Sequence, residues 1–278
     1  MHNFSLAAFT LLAQGAVGLI WCLLAVSWPD PSVTGPLFLP AFYISLGMTV
    51  FSLLIALCHL GNPKNAPYAV SNVIHSRLSR EIIAVHLFAA GLLGLWVLTR
   101  YGSHIHWQRL GDLLVFLLGA GAVWTIARVY RLTAVPAWNH WGTPLDFLGS
   151  ALLTGGGILF VVQWVTADQS PEVALECLGC IAAGGALKMV SLALFMKHLS
   201  ASRTRVWYLA DREKLADSRA GCRFRLSAYP VCVALFLIAG VMPDQWVFPL
   251  CLMAVTGTLA VEIWKRICFY RAFCRVGV

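Results

Sequence analysis

Residues 56–82 read "ALCHLGNPKNAPYAVSNVIHSRLSREI", a polar passage between two long apolar runs. It holds His59 and His75, three basic residues (Lys64, Arg77, Arg80), Pro63, Pro67 and Glu81. The flanking runs, about 39–58 and 82–99, each approach the roughly 20 apolar residues that cross a bilayer. Six more runs of this kind lie at about 6–27, 110–130, 146–166, 173–197, 227–242 and 246–264. In lipid every backbone amide must be paired within its own segment, so continuous apolar runs are helices. The sequence therefore predicts an all-α, polytopic integral membrane protein, an eight-transmembrane-helix bundle forming one domain over residues 1–278.

Composition agrees. Of 278 residues 59% are hydrophobic and 12% charged, with a mean hydropathy of +0.77, whereas a soluble domain of this length needs more charge to cover its surface. The opening "MHNFS" has no Lys or Arg and no short cleavable pattern follows it, so the first run is expected to be retained as a helix. Breakers fill the gaps, among them "WPDPSVTGP" after the first run and "MPDQW" before the last.

With eight spans, both termini and the loops after the second, fourth and sixth spans share one side, which collects 17 of the 20 Lys and Arg residues. The other side has only Arg100 and Arg109, and Lys188 falls within the sixth span. The positive-inside rule places both termini in the cytoplasm. That asymmetry accounts for the net charge of +8 without a nucleic-acid partner. The loop 199–225 is the longest and most charged, suited to lipid headgroups or to a soluble partner.

Two readings compete for residues 56–82. In the plain one, His59 ends a helix, Gly61 and Pro63 stop it, Ser79 caps the next helix and Glu81 sits in its first turn. In the other, His59 and Glu81 lie at one membrane depth on either side of a long connection. An imidazole and a partly desolvated carboxylate there make a proton relay for a substrate that arrives through the lipid and releases protons, such as a quinol.

The motifs "HLGNPKNA" (59–66), "SRLSREI" (76–82), "ARVYRLTAVPAWN" (127–139) and "KRICFYRA" (265–272) resemble the membrane-anchor subunit of the dimethyl sulfoxide reductase type of molybdoenzyme. The likeness extends over most of the chain. It implies a multi-pass anchor in the bacterial inner membrane, non-catalytic alone, which oxidises menaquinol as bound substrate during anaerobic respiration. It also implies that the protein holds neither haem nor an iron–sulfur cluster and passes electrons to a four-cluster iron–sulfur subunit and then to a molybdopterin subunit. By the same resemblance His59 and Glu81 are the quinol-site residues, with Arg80 beside them. Arg128, Tyr130, Trp138 and Asn139 match positions of structural or interfacial character. A polysulfide-reductase-type anchor shares the eight-helix plan, and a secondary transporter or a purely structural tether belongs to other classes.

The remaining polar residues carry weaker signals. Lys188 is either functional or snorkels toward the basic end of its span. Glu262 has Lys265 and Arg266 on the same helical face and is expected to pair with them. His86 has no evident haem partner, and His2, His104, His106 and His140 read as interfacial or loop residues. "LTGGG" (153–157) reads as a close-packing or flexible point, because no Lys-Ser/Thr follows it as in a phosphate loop. The nine cysteines are dispersed, and the one CxxC, Cys177 and Cys180, lacks a second pair for a metal site. Most are expected to be small buried hydrophobes.

Overall fold

A computed structural model describes residues 2–28, 35–59, 73–101, 105–133, 135, 137–166, 170–200 and 212–271. Among them are eight helices: α1 (His2–Ser27), α2 (Gly35–His59), α3 (Arg77–Tyr101), α4 (Ile105–Tyr130), α5 (Gly142–Val165), α6 (Pro171–Ser200), α7 (Arg212–Ala239) and α8 (Asp244–Arg271). Each contains a stretch long and apolar enough to cross a membrane. Residues 60–72, with Gly61, Pro63 and Lys64, and His104 lie outside the described residues, as do the side chains of His2 and His59.

Helix α1 is the axis of the bundle: 89% of its most apolar window is buried, against 72% for α5 and less than half for the other six. These two helices meet at a contact only glycine permits. A Cβ on Gly18 would fall 1.8 Å from the Ala151 carbonyl oxygen, and one on Gly155 would fall 2.1 Å from the Gly18 carbonyl carbon. On its other side α5 packs on α6, where a Cβ on Gly184 would stand 2.5 Å from the Leu153 nitrogen. The glycine run of α5 is thus a packing surface, Gly155 meeting α1 while Gly156 faces Ile181 and Gly157 faces Phe236.

Polar side chains add interhelical hydrogen bonds. Ser45 of α2 donates to the Ala16 carbonyl at 3.0 Å, the Trp21 indole to the Phe116 carbonyl of α4 at 3.1 Å, and Ser191 of α6 to the Gly142 carbonyl of α5 at 2.7 Å. The outward faces are apolar, as on α4, where Leu113, Leu114, Phe116 and Leu117 are exposed and suit a lipid surround. Cys22, Cys177, Cys222, Cys232 and Cys251 are buried and free.

The seventh span differs from the expected 227–242. Its helix begins at Arg212, inside the segment expected to be a loop, runs through Pro230 and ends at Ala239. The charged start "REKLADSRAGCRFR" is rich in helix-forming residues, so the helix extends past the apolar run.

Candidate functional site

Helix α3 begins with a hydroxyl cap. The Ser76 hydroxyl accepts from the Ser79 backbone N–H at 3.2 Å, so Ser76 is the N-cap and the expected assignment to Ser79 is corrected. The helix starts one turn earlier than expected because Ser76 stands immediately before Arg77 and leaves Ser79 as a buried third residue. Glu81 thereby moves beyond the first turn and inward, to 2% exposure. Its Oε1 has no hydrogen-bond partner among the described residues.

The two arginines beside it fasten the backbone. Arg80 donates to the Val73 carbonyl at 2.9 Å and the Ile74 carbonyl at 2.6 Å, holding the turn that leads into α3. Arg77 reaches across to α4 and donates to the Arg131 carbonyl at 2.7 Å. That bond satisfies an acceptor just past the helix C-terminus, where positive charge is also favoured.

Tyr130, the last residue of α4, is the hub of an aromatic cluster at the same end of the bundle. Its ring centroid lies 5.7 Å from Trp138, 5.6 Å from Phe147, 5.5 Å from Phe269 and 5.5 Å from Tyr270. Trp138 stacks on Phe269 at 5.1 Å and donates its indole N–H to the Phe269 carbonyl at 2.8 Å. The Tyr270 hydroxyl donates to the Tyr130 hydroxyl at 3.1 Å, and Glu81 lies within electrostatic reach of both phenols. Tyr130 and Trp138 of one motif and Phe269 and Tyr270 of the other, distant in sequence, therefore meet within electrostatic reach of Glu81.

Beneath the aromatic cluster lies a group of buried charges. The Lys188 ammonium pairs with Glu262 Oε1 at 2.6 Å and Asp146 Oδ1 at 3.2 Å, and donates to the Ser150 hydroxyl. Lys265 bridges the same two carboxylates, contacting Asp146 Oδ2 and standing 3.3 Å from Glu262 Oε2. Tyr229 and Ser150 each donate to Glu262 at 2.9 Å. Arg266 is wholly buried, with its guanidinium 3.6 Å over the Phe147 ring, and donates to Gln14 at 2.6 Å. Helices α1, α5, α6, α7 and α8 all contribute to this network.

Two expectations change here. Lys188 does not snorkel, because two carboxylates within the bundle hold its ammonium inward. Glu262 does pair with Lys265, but Arg266 turns to Gln14 of α1 and the closer cation is Lys188. The sequence marks Lys188 and Glu262 separately and gives no comparable sign of Asp146, Ser150 and Gln14. The available signal is the scarcity of charge: in a protein this apolar, every ionisable residue inside a span needs a partner.

His140 lies outside the spans, in the connection before α5. Its ring centroid is 5.2 Å from His198 and 5.1 Å from Phe195, and its Nδ1 is buried without a partner among the described residues. Burial, reinforced by His198, lowers its pKa from 6.5 to about 3. His86 is exposed on α3 and bonds the Ile82 carbonyl of its own helix at 2.8 Å.

Among the described residues, six membrane-length helices pack around a central glycine-packed pair, α1 and α5, which defines a polytopic helical membrane protein. The sequence model of the DMSO reductase anchor subunit (DmsC) matches residues 1–271. The protein belongs to that family, and it is a membrane anchor of the DMSO reductase type. It is similar to the C subunit of the anaerobic dimethyl sulfoxide reductase of Haemophilus influenzae, at 22% identity over 197 residues, which is 70% of each of the two sequences. No solved structure matches.

Proposed function

We propose that this anchor oxidises menaquinol at the Glu81 end of the bundle and delivers the electrons to a four-cluster iron–sulfur subunit bound over that end. From there they pass to a molybdopterin subunit that reduces the terminal acceptor. The observation that carries the reading is Glu81, a carboxylate buried to 2% with an oxygen that has no hydrogen-bond partner among the described residues, near the start of the helix that follows the connection from His59. A buried acceptor lacking a donor is costly unless a ligand or neighbouring group supplies one. A quinol hydroxyl is such a donor.

Oxidation of one quinol to a quinone releases two electrons and two protons. His59, at the end of α2, takes a hydroxyl proton as general base. Glu81 accepts the hydrogen bond of the bound quinol and passes a proton outward or balances the imidazolium. Arg80 keeps the entrance turn in place through Val73 and Ile74, which makes it a positioning residue in this reading. The excess of Lys and Arg on this side supports a cytoplasmic position for this end and both termini, in the inner membrane.

The test is menaquinol-dependent turnover of the assembled complex in membranes, beside turnover driven by a soluble dye that reduces the partner subunits directly. Glu81→Gln and His59→Ala should each lower the quinol-driven rate by about 10²-fold or more, the usual share of a positioned acid or base, and leave the dye-driven rate alone. Unchanged quinol-driven rates in both variants would remove the site from this end.

A further inference from the structure

At the end of the bundle opposite Glu81, the ends of α1 to α4 enclose a cavity of about 230 Å3. Its wall includes Phe38, Trp96, Arg100, Gln108, Arg109 and Asp112. The cavity is smaller than the roughly 300–1,000 Å3 pockets that enclose whole small ligands. It suits the polar part of a larger amphiphile whose remainder stays in the membrane.

The cavity gathers charges of both signs. Among the described residues no carboxylate forms an ion pair with Arg100 or Arg109. Arg109 rests over the Trp28 ring at 4.9 Å, with a nitrogen 3.5 Å from the Ser27 carbonyl, and Asp112 attracts it without closing an ion pair. Asp112, one turn further along α4 and only 7% exposed, lines the same cavity. Two cations and one anion thus share a small chamber at the helix ends. Leading from it toward mid-membrane, α2 exposes Leu39 and Tyr43 and α3 exposes Val97 and Leu93, rows on which hydrocarbon tails can lie.

We propose that this cavity binds the headgroup of phosphatidylethanolamine. The phosphate bridges Arg100 and Arg109 through charge-assisted hydrogen bonds, the ammonium donates to Asp112, and the acyl tails follow the apolar rows of α2 and α3. Asp112 decides the class of lipid. A headgroup carrying only negative charge would be repelled by it and leave its carboxylate with no hydrogen-bond donor from the lipid. A choline group has no N–H to offer it.

The test is lipid retention by the purified, delipidated full-length protein in detergent, titrated by native mass spectrometry with phosphatidylethanolamine, phosphatidylglycerol and phosphatidylcholine of identical acyl tails. Wild type should hold phosphatidylethanolamine at least about tenfold more tightly than either competitor, the order of one charge-assisted bond. Asp112→Asn should abolish that preference while keeping phosphate-dependent binding, and Arg100→Gln with Arg109→Gln should abolish retention of all three. Equal retention of the three lipids by wild type overturns the proposal, and that ranking needs no variant to fold. A preference for phosphatidylglycerol, or a phosphatidylethanolamine preference that survives Asp112→Asn, overturns it as well.

Discussion

Lys188 donates to two carboxylates and a hydroxyl, so removing its charge does more than delete one bond. Among the described residues, Lys188→Met leaves Asp146 and Glu262 with Lys265 as their one direct ion-pair partner, and breaking a buried pair from one side costs about 3–5 kcal/mol. Thermal unfolding in detergent should register a large loss for Lys188→Met and partial recovery when Glu262→Gln is added. An unchanged midpoint for the single variant would mean that the cluster holds nothing together. His140 gives a second prediction at this scale. The folded protein keeps it neutral down to about pH 3, while the unfolded protein binds a proton below about 6.5. Between those values the unfolded state carries more protons, so stability falls as pH falls, by at most about 1.4 kcal/mol per unit. His140→Phe should flatten that slope, and an equal slope in both proteins would contradict the assignment. From the sequence, Glu262 and Lys265 were legible as a pair because they are three residues apart on one helix. Asp146 was not, because its partners belong to α6 and α8 and only packing reveals them.

At the scale of the helices, small residues decide how closely α1, α5 and α6 approach. Gly155 and Gly18 share a contact that leaves no room for a methyl group. Gly155→Leu should therefore prevent assembly of α1 on α5, seen as loss of folded protein in the membrane. Gly94, whose added Cβ would meet nothing within 4 Å, should accept leucine with little effect. Equal yields from the two variants would show that the close approach is dispensable. The eight spans were legible because apolar length alone specifies them, and "LTGGG" was rightly suspected of close packing. The ends were less so. Hydropathy marks where a helix leaves lipid, not where it stops, which is why α7 begins at Arg212, well before its apolar run. Which of Ser76 and Ser79 caps α3 depends on where the backbone turns, a choice that spacing leaves open.

The whole molecule has two unlike ends. One gathers Glu81, the tyrosine pair, Trp138 and the buried charges. The other has the Arg100, Arg109 and Asp112 cavity. Motifs at 127–139 and 265–272 were legible as belonging to the family, but their purpose was not: they build one aromatic floor beside Glu81, a relation that exists only across helices. The central claim is that Glu81, with His59, forms a quinol-binding site at this end. It is tested most directly by fluorescence-quenching titration of a quinol-analogue inhibitor on membranes holding the complex, comparing wild type with Glu81→Gln and His59→Ala at equal expression. The account predicts that binding weakens by about tenfold or more in each variant, the loss of one strong hydrogen bond, while the partner subunits stay attached. Unaltered inhibitor affinity in both variants would contradict it, and Glu81 would then be a buried carboxylate whose partner lies within the protein.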